Sequence, residues 1–263
     1  DEAEPGRKLM KERGFDDAAL ERFGVGWAPK GWTNLADHLR LKGFTDQELL
    51  VAGLVSSGDR GVYDKFRGRV VWPIRDTTNQ VIGFGARKIF EDDKGPKYLN
   101  SAETPVYHKS RVLYGLDLAK KDISKQQQVV VVEGYTDVMA CHLAGVTTAI
   151  ATCGTAFSEE HIQVLNRLLG TDPANPAQVI FNFDPDEAGQ KAAMKALGAM
   201  ALTSAMLIIA WRSMFRAWRV PRPACRCGCR AAWPCWRRPA SGPARHSAST
   251  LRASRGARPW APP

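Results

Sequence analysis

Two short words in the sequence carry acids where acids can do chemistry. Residues 129–137 read VVVVEGYTD, and residues 179–186 read VIFNFDPD. Glu133 follows one apolar run, and Asp184 and Asp186 follow the other. Asp184 and Asp186 are two apart, so in extended backbone their side chains point the same way. Oxygen-only donors suit a hard dication such as magnesium or manganese rather than zinc. Asp137 stands four residues past Glu133, where it can join the same cleft or complement a helix dipole. Any one of these acids alone reads as a solvated strand end. The Glu-Gly-Tyr-x-Asp word with a D-x-D beyond it is far more specific.

The acids need strands and helices to hold them. Val129–Glu133, Thr147–Ala151 and Gln178–Phe183 read as strands. Tyr135–Ala144, Ser158–Leu169 and Glu187–Met200 read as helices, with Ser158 as N-cap and His161 three residues on. Strands alternating with helices of this length predict an α/β fold with a parallel sheet and right-handed crossovers. The strands are apolar on both faces, as when helices cover both sides. Ligands in such sheets bind at the carboxyl ends of the strands, which is where Glu133 and Asp184 fall.

The first 122 residues read as a mixed α+β unit. Residues 6–24 and Asn34–Lys42 have helical patterning, and Thr45 caps a third helix through Ala52. Gly58–Gly61 reads as a loop. Arg69–Ile74 and Val81–Phe84 read as a hairpin bent at Asn79, and Lys97–Leu113 as irregular. Gly-Phe-Gly at 83–85 marks close backbone approach in a strand, because the remaining spacing of a dinucleotide loop is absent.

The formal charge of +10 misleads. Of 37 Lys and Arg, 14 lie after Glu187, where there is no Asp or Glu; the first 187 residues keep 23 bases against 27 acids, a net of −4. Overall basicity therefore does not argue for nucleic acid. From about Ala210 the chain becomes Arg, Ala, Pro, Trp and Cys, with five of the eight Trp and four of the six Cys. We read 201–263 as a low-complexity tail, with two origins open: a basic extension or, the favoured one, translation out of frame in a GC-rich gene. Cys225, Cys227 and Cys229 are too closely spaced for a usual zinc site, so no zinc is expected. Cys141 and Cys153 read as reduced core thiols of a cytoplasmic protein. No secretory signal or membrane span is evident, since the apolar stretch near Ala205–Trp211 is too short.

Several words together resemble one family. Glu133, Gly134, Asp184 and Asp186 are similar to the Toprim pattern shared by bacterial primases, topoisomerases and some nucleases. RGRVVWPIRD, VIGFGAR, PKYLNSAETPVYHKSRVLYGL, VVVVEGYTDVMA, ATCGTAFSEEHIQVL and FNFDPDEAGQKAA resemble the RNA polymerase core of DnaG-type bacterial primases, from about Lys8 to Leu197. The resemblance implies a Toprim-like parallel sheet flanked by helices at 127–200, preceded by a basic N-terminal subdomain at 1–122. It implies nucleotidyl transfer from NTPs onto a nascent RNA primer along a single-stranded DNA template, with Mg2+ or Mn2+. Glu133, Asp137, Asp184 and Asp186 are then the catalytic acids, and Glu133, Asp184 and Asp186 the metal ligands.

Arg67, Arg69, Arg87, Lys97, Lys109 and Arg111 cluster between residues 60 and 115, beside the acidic half. Such residues grip phosphate without reading sequence. By the resemblance, Arg87, Lys97, Asn100 and Lys109 match the family's basic motif, and Arg13 another arginine. Tyr98 and Tyr107 are candidate base-stacking residues, though packing is the commoner role. The family's zinc ribbon, its helicase-binding domain and its later D-P-x-D acids have no counterpart in this sequence. Weak metal binding and little unaided priming are therefore expected. The other readings are a Toprim topoisomerase fragment, which needs a nucleophilic tyrosine, and an inactive nucleic-acid-binding remnant. His108, His142 and His161 have no partner pattern for nucleophilic catalysis.

Overall fold

A computed structural model describes residues 2–170, 176–184 and 187, and the strand Met206–Trp211 by its backbone. The tail beyond Trp211 and the expected helix Glu187–Met200, apart from Glu187, lie outside the described residues.

The chain opens with α1 (Glu4–Glu12) and α2 (Asp17–Phe23). One helix was expected over 6–24. The break falls at Arg13–Asp16, where Gly14 takes φ 90° and the Asp16 side chain accepts the Ala19 N–H at 2.8 Å. A left-handed glycine followed by a capping aspartate ends one helix and starts another. Then come β1 (Gly26–Ala28), α3 (Asn34–Leu41), α4 (Asp46–Val51), β2 (Val55–Gly58) and β3 (Gly61–Asp64). Thr45 and Glu48 form the capping box of α4. The Gly58–Gly61 loop is the tight turn of the β2–β3 hairpin. Buried Asp64 at its end accepts the N–H groups of Leu35 and Ala36 at 2.7 and 2.9 Å, so a strand residue caps α3.

Strands β4 (Arg69–Arg75) and β5 (Val81–Lys88) pair antiparallel around Asn79, whose φ is 71°. With β1 and β6 (Tyr98–Asn100) they make a four-stranded sheet ordered β1-β4-β5-β6. Next are β7 (Leu113–Tyr114), α5 (Leu116–Gln126), β8 (Gln128–Val132), α6 (Tyr135–Leu143), β9 (Ala149–Thr152), α7 (Glu159–Asn166), β10 (Gln178–Phe183) and β11 (Met206–Trp211). The second sheet runs β11-β10-β8-β9-β7. Its four long strands are parallel, and β7 lies antiparallel at the edge. Residues 97–113, expected to be irregular, thus supply an edge strand to each sheet. Two- and three-residue strands leave no periodicity to read. β11 lies within the segment assigned to the tail, yet it pairs with the whole of β10, from Gln178↔Met206 to Phe183↔Trp211.

One apolar cluster runs through both sheets. It joins Met10, Phe15, Phe23, Val70, Trp72 and Ile74 to Val130, Val132, Tyr135, Val138, Met139 and Cys153. Tyr135 is its pivot: the ring stacks on Trp72 at 5.4 Å and meets Tyr114 edge-on at 4.7 Å. Cys153 is buried and Cys141 partly buried, both as free thiols.

A Cβ added at Gly85 would stand 2.2 Å from the Tyr135 ring, so β5 closes on α6 only because this residue has no side chain. Gly85→Ala is expected to cost about 2–3 kcal/mol through forced displacement of that ring. Urea denaturation measures it, and a change below about 0.5 kcal/mol would show that the two halves part freely.

Candidate active site

β8 and β10 are hydrogen-bonded parallel neighbours, with Asn182 opposite Val132. The residue after each strand is an acid. Glu133 is exposed and Asp184 partly buried. A Glu133 carboxylate oxygen, Oε1, accepts the Asp184 backbone N–H at 2.5 Å, which ties the two strand ends together. Asp137 lies in the first turn of α6, with Oδ2 3.8 Å from where a Cβ on Gly134 would sit. The structure thus brings Glu133 and Asp184 together and puts Asp137 beside the loop that carries Glu133. Asp186 lies outside the described residues. Within those residues no group of three His, Cys, Asp or Glu forms a metal cage.

The basic residues reach this edge through β6 and the loop after it. Asn100 bridges the two halves. Its Oδ1 accepts the Tyr135 hydroxyl at 2.8 Å, and its Nδ2 donates to the Cys153 carbonyl at 2.9 Å. Cys153 directly follows β9, the neighbour of β8, so Asn100 docks one strand away from Glu133. Gly154 (φ 74°) leaves room for it, since a Cβ there would lie 2.4 Å from Asn100 Nδ2.

Lys109 is anchored by its backbone. Its N–H donates to Glu103 Oε1 at 3.0 Å, and its carbonyl lies 3.0 Å from His161 Nε2. Burial first, and the charge of Lys109 second, lower the pKa of Lys65. Two like charges near each other are relieved by an anion between them.

Arg87 on β5 is half-buried, and neither its Nε nor its Nη1 has a hydrogen-bond partner among the described residues. Burial first, and the neighbouring exposed Arg13 second, hold its pKa below the usual arginine value. Tyr98, 44% exposed, has its ring 6.0 Å from the Arg87 guanidinium. Lys97 is exposed just before β6. Tyr107 is fully buried and packs the core, as the commoner reading of a lone tyrosine has it.

Arg69 is a correction. Expected to meet phosphate, it is 3% exposed, paired with Asp93 and donating to the Pro96 carbonyl at 2.9 Å. Its charge is spent inside, fixing the 91–96 loop. Arg67 remains at the surface, stacked over Trp32 at 4.2 Å and near Tyr63 at 5.1 Å. Trp32, 64% exposed, is a residue that sequence reasoning missed, as are Lys30 and Lys65. With Arg67, Phe90 and Lys94 they line a cleft of about 550 Å³. A tryptophan two residues after a lysine in the word PKGWTN was the available signal, because an aromatic face and a cation suit a base and its phosphate.

Comparison with known proteins matches residues 1–120 to the DNA primase catalytic core, N-terminal domain, and 127–208 to the Toprim domain. The RNA polymerase domain of Mycobacterium tuberculosis primase DnaG superposes with a TM-score of 0.75 at 51% identity, over 80% of this chain and 69% of that one. The chain belongs to the DnaG-type bacterial DNA primases. The DNA primase of Streptomyces coelicolor is 63% identical over 195 residues, 74% of this chain and 30% of that protein. That of Mycolicibacterium smegmatis is 55% identical over 197 residues. The chain therefore spans about 30% of the length of the curated primases it matches. A DnaG primase catalytic domain bound to ssDNA has a TM-score of 0.69 at 38% identity, covering 80% of this chain and 64% of that one. No helix among the described residues is long and apolar enough to cross a membrane.

His161 of the primase fold sits in the capping box of α7 and is fully buried. Nδ1 accepts the Ser158 N–H at 3.1 Å, so the proton belongs on Nε2, facing the Lys109 carbonyl. Burial lowers its pKa from the unfolded value near 6.5, and does the same for His142. The folded state therefore prefers both rings neutral. Their stabilisation is complete above pH about 6.5 and declines as pH falls through that value. The melting temperature of the chain is expected to fall between pH 7.5 and 5.5. A His161→Gln variant, with one fewer group to charge, should show a shallower fall, and parallel slopes would exclude the effect.

Proposed function

We propose that this chain is a primase polymerase core, one that joins ribonucleotides on a single-stranded DNA template and is crippled by the loss of its last acids. One observation carries the reading: Asn100 and Lys109 of the basic half dock on the β9 end of the same sheet edge that presents Glu133 and Asp184. Acid and base converge there from units of opposite character. The oxygen donors at that edge suit a hard dication, which when bound neutralises triphosphate and developing charge. Glu133 and Asp184 would hold it, with Asp186 as the partner the D-x-D spacing supplies and Asp137 in support. Glu133 would act as metal ligand or as the base for an incoming 3′-hydroxyl. Lys109, Lys97, Arg87 and Arg13 grip phosphates. Trp32 and Arg67 in the cleft guide the template by stacking and charge. Little of this reads base identity, which suits an enzyme that copies many templates. The setting of such work is the cytoplasm, at a replication fork.

The chain has no Asp or Glu after Glu187, so the later acids of the family pattern are missing. Priming on single-stranded template with NTPs and Mg2+ or Mn2+ should give little or no product. Robust primer synthesis would refute the crippled reading. Manganese titration should show weak binding that Glu133→Gln weakens about tenfold or more. Unchanged affinity would leave the carboxylates without a metal role. A covalent protein–DNA adduct would favour the topoisomerase reading instead.

A further inference from the structure

The connection between β9 and α7 holds residues of the basic half on two sides. On one side the Cys153 carbonyl accepts Asn100 Nδ2 at 2.9 Å, and Gly154 clears space for that amide. On the other, the Lys109 carbonyl accepts His161 Nε2–H at 3.0 Å and the Thr155 hydroxyl at 3.4 Å. The Ser110 carbonyl accepts the Ser158 hydroxyl at 3.0 Å. The connection is itself braced, since the Thr152 hydroxyl donates to the Thr155 carbonyl at 2.7 Å. His161 has no exposed surface, so its ring is free to meet neither solvent nor substrate. Nδ1 of that ring faces the Ser158 cap and Nε2 faces the Lys109 carbonyl, with the Val112 backbone also within its reach.

We infer that the β9–α7 connection is a positioning clasp, in which His161, aided by Thr155 and Ser158, fixes the Lys109 backbone so that the lysine side chain is held for a nucleic-acid or triphosphate phosphate. The inference rests on the phosphate-binding reading above. Its physical basis is entropy. A lysine on an unanchored loop loses several torsions on binding, whereas one with its carbonyl already bonded has lost the backbone part on folding. The nearness of Lys109 to Lys65, a residue lining the Trp32 cleft, agrees with where the clasp puts it. His161 touches no reacting group. It is a positioning residue.

The clasp separates two functions of one ring. Gln at 161 can still donate from its Nε2 to the Lys109 carbonyl, whereas Asn is too short to reach it. Fluorescence anisotropy of a labelled oligo-dT on the full 263-residue chain, at low salt, tests this. Lys109→Ala should weaken binding roughly three- to tenfold, in line with loss of one phosphate contact. His161→Asn should weaken it about threefold, and not further in the Lys109→Ala background. His161→Gln should stay within about twofold of the parent chain. If Lys109→Ala changes nothing, the phosphate reading of Lys109 fails and takes the clasp with it. If Lys109→Ala weakens binding but His161→Asn does not, or the two effects multiply, the clasp alone is overturned. Should His161→Asn lose its fold by circular dichroism, Thr155→Val in the same double-mutant cycle decides between the same outcomes.

Discussion

The packing of Tyr135 between the two sheets is the constraint on which the rest depends. This residue opens α6, immediately after the Glu133-Gly134 pair, so its placement sets where the Glu133 loop lies. Its ring fills the space between Trp72 and Tyr114, and its hydroxyl reaches Asn100. Aromatic contacts of this kind contribute roughly 0.5–1.5 kcal/mol each beyond their buried area. The hydroxyl bond adds direction. The buried hydroxyl finds its acceptor in Asn100, so the polar contact and the apolar packing favour the same geometry.

That geometry explains how the basic half and the acidic half are held at one sheet edge. β6 alone is three residues long and cannot hold a position by its own ladder. Its last residue is instead fixed from the opposite unit, by Tyr135 and the Cys153 carbonyl. The loop after it is fixed in the same way at Lys109 and Ser110. Cations brought by short, irregular segments thus acquire the rigidity of a parallel sheet. Arg69 contributes differently, by sitting inside and holding the loop that rims the cleft.

β11 shows how separable fold and chemistry are. A parallel edge strand needs a short apolar run of adequate β-propensity, and MLIIAW supplies one. Pairing with β10 requires only backbone groups and a matching length. A metal site requires particular oxygen donors at particular places. No Asp or Glu follows β11 in the sequence, so the sheet gains its outer strand without any further carboxylate beyond it.

The alternation of strand and helix, the strand-end acids Glu133 and Asp184, the Ser158 cap and the bend at Asn79 were all legible in the sequence, because each is a local matter of periodicity, capping or turn chemistry. So was the close approach at Gly85. Hidden were the short strands β1, β6 and β7, too brief for any period, and the split of the first helix at Gly14. The burial of Arg69 and the exposure of Trp32 were likewise invisible, because a side chain's surroundings come from residues far away in the chain. Asp93 lies 24 positions from Arg69, and Lys109 lies 52 from His161. The sequence by itself determined which residues were available and which local elements formed. Only the tertiary structure decided which charges were neutralised inside and which were aimed outward, since that choice is made by desolvation and partners the chain meets only once it has closed on itself.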